Sequence, residues 1–351
     1  MFFYIFLLIV VWIFSICYSF TTDKYNTFLF KSIVFVVLFV PSALRYNIGT
    51  DYKQYVDIYS LIEKNGFREI EYGYYLLNLF AIKTGLGVEF VFALMAFLTY
   101  YFFIKYVPRK SCYILIPFYL MILYIHSYNL MRQCLAISSA LYAYLLFQNK
   151  NYFKTFIILL FGFMFHKGAI IYPIIFILIK IINISKIQSL SLFVVIFIMQ
   201  VFTNQIIGFI GNIFQKNNLP YAFYFSSKLF GFKTVRGTGI GILLRFLCYF
   251  ISLLCIDGNH KNSSMNRAGF LMLIFADVLV IGGLDIFSRL VYSFYIFWFP
   301  VLNNIIKSKN KYHNIIIMFI MAFFLMNLFI LLSVSKENPP EVIPYRSILS
   351  K

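Results

Sequence analysis

Long apolar runs separated by short polar connections recur along the whole sequence and constrain its fold more than any motif does. About twelve of them approach the ~20 residues that an α-helix needs to cross a bilayer. In chain order they are Phe2 to Phe20, Phe28 to Leu44, Val88 to Tyr106, Cys112 to Ile125, Leu130 to Phe147, Phe153 to Phe165, Ala169 to Ile182, Leu190 to Ile206, Ile240 to Ile256, Ala268 to Leu284, Leu290 to Ile306 and Ile315 to Val334. With 62% hydrophobic and 12% charged residues, the chain is far too apolar for a soluble domain. The sequence therefore predicts an all-α polytopic membrane protein, with residues 1–351 forming one transmembrane domain.

Several shorter features refine this count. The runs on either side of His166 are short, so a helical hairpin that does not fully cross the bilayer is an alternative there. A further apolar piece, Tyr74 to Ile82, is shorter still and is interpreted as a re-entrant or interfacial helix at the outer face. The first run, Phe2 to Phe20, lacks a basic leading region and a small-residue cleavage pattern. We therefore expect it to be a retained span rather than a signal peptide.

The charge balance indicates which side of the membrane each connection occupies. The chain has 30 Lys and Arg against 12 Asp and Glu, a formal net charge of +18. Such an excess is typical of cations that flank membrane spans beside anionic lipid, and it also suits an anionic substrate, whereas nucleic acid is not implied. An amino terminus on the outside places the short basic connections, such as KYVPRK and KSKNK, in the cytoplasm. The five cysteines lie inside apolar runs without Cys-x-x-Cys spacing, so neither disulfides nor a zinc site is predicted.

This orientation brings polar groups from distant parts of the sequence to the outer face. They are Arg45, Asp51, His126, Arg132, His166, Lys167, Arg236, Asp285, Arg289 and the C-terminal PYRS segment. The outer connections 45–87 and 204–239 are predicted to form the catalytic face. The second of them carries Lys216, Lys228, Lys233 and Arg236 and no acidic residue, so we interpret it as a cationic lid.

The stretch from Arg45 to Tyr59 is the most informative of these connections, because it is polar and follows a long apolar run directly. Asp51 is followed three residues later by Gln54, which predicts an N-cap with a capping-box partner for a helix that carries Tyr52 and Tyr55 on one stripe. We expect that helix to lie in the membrane interface. Asp51 can act only as a cap and Arg45 only as a snorkelling side chain, or both can face a substrate.

Four other groups stand out against their apolar surroundings. Arg132 begins a span, and a charge set into a span usually has a partner or a function. His166 forms, with Lys167, the polar break of an apolar hairpin, and histidine transfers protons most readily near neutral pH. Asp277 lies within a span, where an interhelical hydrogen bond is the favoured role. Arg289 stands four residues after Asp285, which can pair with it or position it for an anion.

Several of these residues together resemble the EpsG family of Wzy-type polysaccharide polymerases. The shared elements are R-x-x-x-GTDY-x-x-Y from Arg45 to Tyr55, NLMRQ-x-LA from Asn129 to Ala136, FH-x-GA from Phe165 to Ala169, Arg289 with Tyr292, and PY-x-S from Pro344 to Ser347. The resemblance implies a multispanning enzyme of the bacterial inner membrane. It implies that undecaprenyl-diphosphate-linked oligosaccharide repeat units are joined at the periplasmic face into O-antigen or capsular polysaccharide.

The chemistry implied by this resemblance assigns roles to the candidate residues. Fixed guanidinium groups suit a departing polyprenyl diphosphate better than lysines do, because their geometry is bidentate and their charge permanent. The acceptor hydroxyl needs a base as the oxocarbenium-like centre develops. The candidates are Arg45, Arg132, Arg289 and Arg236 for the diphosphate, Asp51 or His166 for the base, and Tyr52, Tyr55 and Tyr345 for the glycan. No carboxylate cluster suited to magnesium is evident in the sequence, so transfer without a metal or other cofactor is predicted.

Two other functions remain open from the sequence. A flippase or other exporter of lipid-linked oligosaccharides would need charges at several depths, whereas the spans carry few apart from Asp277. A membrane O-antigen ligase shares the one-sided geometry and is harder to distinguish. The expected partners are the lipid-linked substrates, the phospholipid bilayer, and a chain-length regulator and a flippase that act with such a polymerase.

Overall fold

The computed structural model describes residues 1–66, 69–217, 239–256, 262–281, 288–308, 311–334 and 341–350. Every regular element in these ranges is helical, as predicted, and the described residues contain no strand. The chain divides into two compact units, residues 1–176 with 324–351 and residues 177–323. Their joint action as one transmembrane domain stays a prediction.

The helices are numbered in chain order. The first nine are α1 (Phe2–Phe20), α2 (Lys24–Ala43), α3 (Tyr52–Asn65), α4 (Tyr72–Thr84), α5 (Gly87–Tyr106), α6 (Cys112–Tyr119), α7 (Met131–Gln148), α8 (Tyr152–Phe165) and α9 (Ile171–Ile181). The others are α10 (Lys186–Val201), α11 (Thr203–Lys216), α12 (Ile240–Cys255), α13 (Ser263–Ile281), α14 (Ser288–Phe294), α15 (Trp298–Lys307) and α16 (His313–Val334). Both α9 and α16 contribute residues to the two units.

Five of the described helices are long and apolar enough to cross a membrane: α1, α2, α5, α13 and α16. Three shorter apolar helices, α8, α10 and α12, overlap predicted runs, although the run Leu190 to Ile206 is interrupted because α10 ends at Val201. The count of about twelve spans stays a prediction.

Two predicted runs are broken because a proline removes a backbone donor. Pro117 lies in α6, which continues as a π-helical turn at Leu120–Tyr124, and a 3-10 turn at Tyr295–Phe297 separates α14 from α15, near Pro300.

The start of α3 differs from the predicted capping box. Asp51 stands at the N-cap position, but its side chain makes no capping hydrogen bond. Its φ of −90° and ψ of 1° lie outside the extended conformation typical of capping residues. Backbone contacts hold the turn instead, since the Tyr52 N–H donates to the Gly49 carbonyl at 3.0 Å. Gly49 has a φ of +94°, and a Cβ there would collide with the side chain of Asn129, so this turn requires glycine.

The C-terminal segment lies beside the connection that follows α2. The Tyr46 N–H donates to the Arg346 carbonyl at 3.0 Å, and the Ile348 N–H donates to the Leu44 carbonyl at 2.9 Å. Arg45 and Ser347 form an isolated antiparallel bridge between these two contacts. The PYRS segment and the stretch that begins at Arg45 are therefore neighbours at one end of the first unit.

Candidate active site at one end of the first unit

A carboxylate, a guanidinium and an imidazole meet in the first unit. The Arg132 Nη1 donates to Glu71 Oε2 in an ion pair. The Nδ1 of His166 lies 3.8 Å from Glu71 Oε1, and the backbone N–H of Lys167 donates to the same oxygen at 3.3 Å. The exposed fractions of these side chains are 12% for Glu71, 22% for Arg132 and 30% for His166. The cluster is thus sheltered but open enough to meet a ligand.

Three helix ends bring this cluster together. Glu71 immediately precedes α4, Arg132 lies in the first turn of α7, and His166 follows the last residue of α8. Helices α4 and α8 can approach closely because Gly73 has no side chain. A Cβ at Gly73 would lie 2.9 Å from the backbone oxygen of Met164, two residues before His166. This contact sets Glu71 beside the end of α8.

Aromatic rings fix the position of Arg132. The Arg132 Cζ lies 5.3 Å from the ring centroid of Tyr74 and 5.8 Å from that of Tyr55, both within the range of cation–π attraction. Tyr55 is held in turn, because its hydroxyl donates to the Asn129 carbonyl at 2.8 Å. The predicted partner of Arg132 is therefore a carboxylate together with two aromatic faces.

Arg45 lies in the interior of the first unit, with only 2% of its surface exposed. Its guanidinium lies 5.1 Å from the ring centroid of Phe92 and 5.2 Å from that of Tyr128, and its Nη2 donates to Met131 Sδ at 3.5 Å. Within the described residues its Nε and Nη1 make no hydrogen bond. Unpaired donors at a buried site cost free energy, so Arg45 would gain from an anionic acceptor. A cavity of about 10 Å³ beside it is also lined by Ser42.

The three tyrosines predicted to contact glycan are engaged in packing. Tyr52 is 6% exposed and Tyr55 4% exposed. The ring of Tyr345 stacks on Phe3 at 3.9 Å, and its hydroxyl donates to the Pro41 carbonyl at 3.0 Å. These contacts account for the tyrosines without a ligand, and their role toward glycan stays a prediction.

The remaining predicted residues lie in or near the second unit. Arg289 is in α14 and is exposed, whereas Arg236 and Asp285 lie outside the described residues. The predicted lid 204–239 is not wholly a loop, because α11 continues to Lys216. Its sequence NQIIGFIGNIF spaces apolar residues at helical intervals, which explains the helix. The rest of the lid, 218–238, is outside the described residues.

Comparison of the sequence with known proteins identifies the family. The EpsG family model matches residues 28–347, which include every residue of the Glu71 cluster. The chain belongs to the EpsG family. No curated protein and no solved structure matches the chain. Because the EpsG family is polysaccharide polymerase-like, this chain is a membrane protein of polysaccharide biosynthesis.

The second unit of this EpsG family member contains an ion pair whose carboxylate is buried and whose guanidinium is partly exposed. Arg245 Nη1 on α12 donates to both oxygens of Asp277 on α13, at 3.0 and 3.1 Å. The hydroxyl of Tyr249 donates to Asp277 Oδ2 at 2.9 Å. Asp277 thus makes the predicted interhelical hydrogen bonds, and Arg245 is a partner that the sequence did not single out.

Two residues of this EpsG family member were missed by sequence reasoning for different reasons. Glu71 lies in the polar stretch EIEYGYY, where a carboxylate is typical of solvated surface. Arg245 interrupts the apolar run ILLRFLCYF, and that interruption was a usable signal because a charge within a span usually has a partner. No comparable local signal marks Glu71.

Proposed function

We propose that this protein joins polyprenyl-diphosphate-linked oligosaccharide repeat units into a polysaccharide at the periplasmic face of the bacterial inner membrane. O-antigen and capsule are the product classes that fit such a reaction, with undecaprenyl as the lipid. Membership of a polymerase-like family supports the proposal. The sheltered cluster around Glu71 supplies the chemistry.

The observation that carries this proposal is the contact of Arg132 and His166 with a single carboxylate. Glycosyl transfer from a diphosphate needs a cation for the leaving group and a base for the acceptor, close enough to act on one sugar. Arg132 is a permanent cation and His166 an imidazole, and both contact Glu71. The two groups therefore lie on the two sides of one carboxylate, close enough to each other to serve one donor and its acceptor.

The proposed reaction proceeds by displacement at the anomeric carbon of the donor. A hydroxyl oxygen at the non-reducing end of the acceptor forms a bond to that carbon. The bond from the carbon to the diphosphate oxygen breaks, and its electron pair leaves with the polyprenyl diphosphate. The hydroxyl proton passes to Nε2 of His166. Arg132 stabilises the charge that develops on the diphosphate.

The other candidates take defined places in this proposal. His166 is preferred to Asp51 as the base because a carboxylate contacts its Nδ1 and can hold the imidazolium that forms. Arg45 would contact a phosphate oxygen only after its buried guanidinium becomes accessible, which its unpaired Nε and Nη1 would favour. Arg289 and Arg236 are proposed as further diphosphate contacts. Metal independence stays a prediction.

The decisive experiment is reconstitution of the purified full-length chain with lipid-linked repeat units. We expect a ladder of products that survives EDTA and disappears in Arg132→Ala and His166→Ala, while Arg346→Ala, an exposed arginine of the C-terminal segment, retains it. Absence of a ladder from wild-type protein would refute the proposal. Movement of intact repeat units across the vesicle membrane would identify an exporter instead. Transfer of one preassembled glycan to a different acceptor would identify a ligase.

A further inference from the structure

Both carboxylate oxygens of Glu71 are engaged by neighbouring groups, unlike those of a typical surface carboxylate. It occupies the N-cap position of α4, yet its side chain makes no capping hydrogen bond to that helix. Instead Oε2 accepts from Arg132, and Oε1 accepts from the Lys167 N–H and lies 3.8 Å from His166 Nδ1. Each oxygen therefore serves a different candidate group of the reaction.

A purely structural role explains only half of this arrangement. An ion pair between Glu71 and Arg132 links α4 to α7, and exposed or partly exposed pairs of this kind contribute little to stability. The ion pair with Arg132 uses Oε2 of Glu71 and does not require Oε1 to face the ring nitrogen of His166. A carboxylate beside Nδ1 favours the tautomer with its proton on that nitrogen, in which Nε2 carries the lone pair that can accept a proton.

We propose that Glu71 is a positioning residue that couples donor binding to proton transfer, because its one negative charge is shared between Arg132 and His166. This inference rests on the proposed function. When the donor diphosphate binds Arg132, the guanidinium divides its hydrogen bonds between two anions. The Glu71 carboxylate then becomes more available to His166.

The charges around His166 give this coupling a direction. Charged groups near it include Glu71 before α4, Arg132 on the other oxygen of that carboxylate and against the Tyr74 ring, and Lys167 next in the chain. Without donor, the positive charge of Arg132 opposes protonation of the imidazole. Bound diphosphate offsets that charge, so the imidazolium is stabilised more strongly when a donor is present than when it is absent. His166 is therefore a stronger base at the step in which it accepts the proton of the acceptor hydroxyl.

The proton has a complete path in this scheme. The acceptor hydroxyl transfers it to His166 Nε2, and the Nδ1–H of the resulting imidazolium donates to Glu71 Oε1. The present 3.8 Å separation is longer than a hydrogen bond by roughly 0.8 Å. Catalytic hydrogen bonds are commonly longer before substrate binds, and a small rotation of the imidazole closes this gap.

The test uses Glu71→Gln in the full-length reconstituted protein, with Glu69→Gln as a matched control. Glu69 is exposed, lies two residues earlier and undergoes the same change. In Glu71→Gln we expect kcat to fall about 10- to 100-fold and the donor KM to fall, because Arg132 loses a competing anion. The acid limb of the kcat profile should move down by about one pH unit. Glu71→Asp, which keeps the charge, should restore that limb.

Two results would overturn the inference while leaving the polymerase proposal intact. One is a Glu71→Gln enzyme with wild-type kcat and acid limb. The other is a raised donor KM with a lowered melting temperature and an unmoved acid limb, which would assign Glu71 a structural role.

A binding measurement separates this inference from the proposed function. Geranylgeranyl diphosphate should bind Glu71→Gln several-fold more tightly than it binds wild-type protein or Glu69→Gln. Equal or weaker binding overturns the shared-carboxylate idea. If wild-type protein produces no ladder, the proposed function fails, and this measurement alone decides whether Glu71 and a diphosphate compete for Arg132.

Discussion

Replacement of Arg132 by lysine tests whether the geometry of the guanidinium matters beyond its charge. Arg132 already donates Nη1 to Glu71 and lies against the rings of Tyr55 and Tyr74, so its plane is fixed before any ligand binds. A lysine has one nitrogen, which cannot serve Glu71 and a phosphate with the same geometry. Loss of one charge-assisted hydrogen bond costs about 1.5–3 kcal/mol. Arg132→Lys should therefore lower kcat/KM by about 10- to 150-fold.

The assay is the initial rate of chain extension in proteoliposomes, measured over a range of donor concentrations at fixed acceptor. Arg346→Lys is the matched control, because it makes the same change at an exposed arginine. The melting temperature of Arg132→Lys in detergent should stay near that of wild type, since the lysine can still pair with Glu71. If kcat/KM of Arg132→Lys stays within twofold of the wild-type value, the guanidinium of Arg132 does not contact Glu71 and the diphosphate with separate N–H groups, and the prediction is refuted.

Three further predictions concern Gly168, Asp277 and His126. A Cβ at Gly168 would lie 2.7 Å from His166 Nε2, so Gly168→Ala should displace the imidazole and lower the rate of chain extension by roughly 10- to 100-fold with little change in melting temperature. Asp277→Asn should destabilise the protein in chemical unfolding by about 1–3 kcal/mol, and more than a double apolar replacement that also removes Arg245, because it leaves that cation without its counter-charge. Burial lowers the pKa of His126 to about 4, so the unfolded chain takes up more protons as the pH falls from about 6.5 towards 4. The melting temperature should fall over that window, and His126→Asn should flatten the fall.

Much of the helical framework is readable from hydropathy because burial in a bilayer demands long apolar runs. The predicted run Phe2 to Phe20 coincides with α1, and Phe153 to Phe165 differs from α8 by one residue. The interruptions are less readable. The run Cys112 to Ile125 holds a π-helical turn, since Pro117 alters backbone bonding without altering hydropathy.

The candidate site was predicted only in part, and the reason is physical. Arg132 and His166 are conspicuous because charge or polarity at the edge of an apolar run is costly. Glu71 stands in a polar connection, where a carboxylate is ordinary, and only its tertiary contacts distinguish it. Asp51 shows the opposite error, since its local pattern matched a capping box that its backbone angles do not support.

Gly73 connects these observations to the architecture of the site. Its missing side chain lets the start of α4 lie against the Met164 backbone, and that contact sets how far Glu71 is from His166. A methyl group at Gly73 would meet main-chain atoms, which cannot swing aside as the imidazole facing Gly168 can. Helix packing therefore sets the separation of the two backbone segments that carry Glu71 and His166, and rotation of the imidazole sets the distance from Nδ1 to Oε1. Precise placement of the base in this way is what proton transfer to a single ring nitrogen requires.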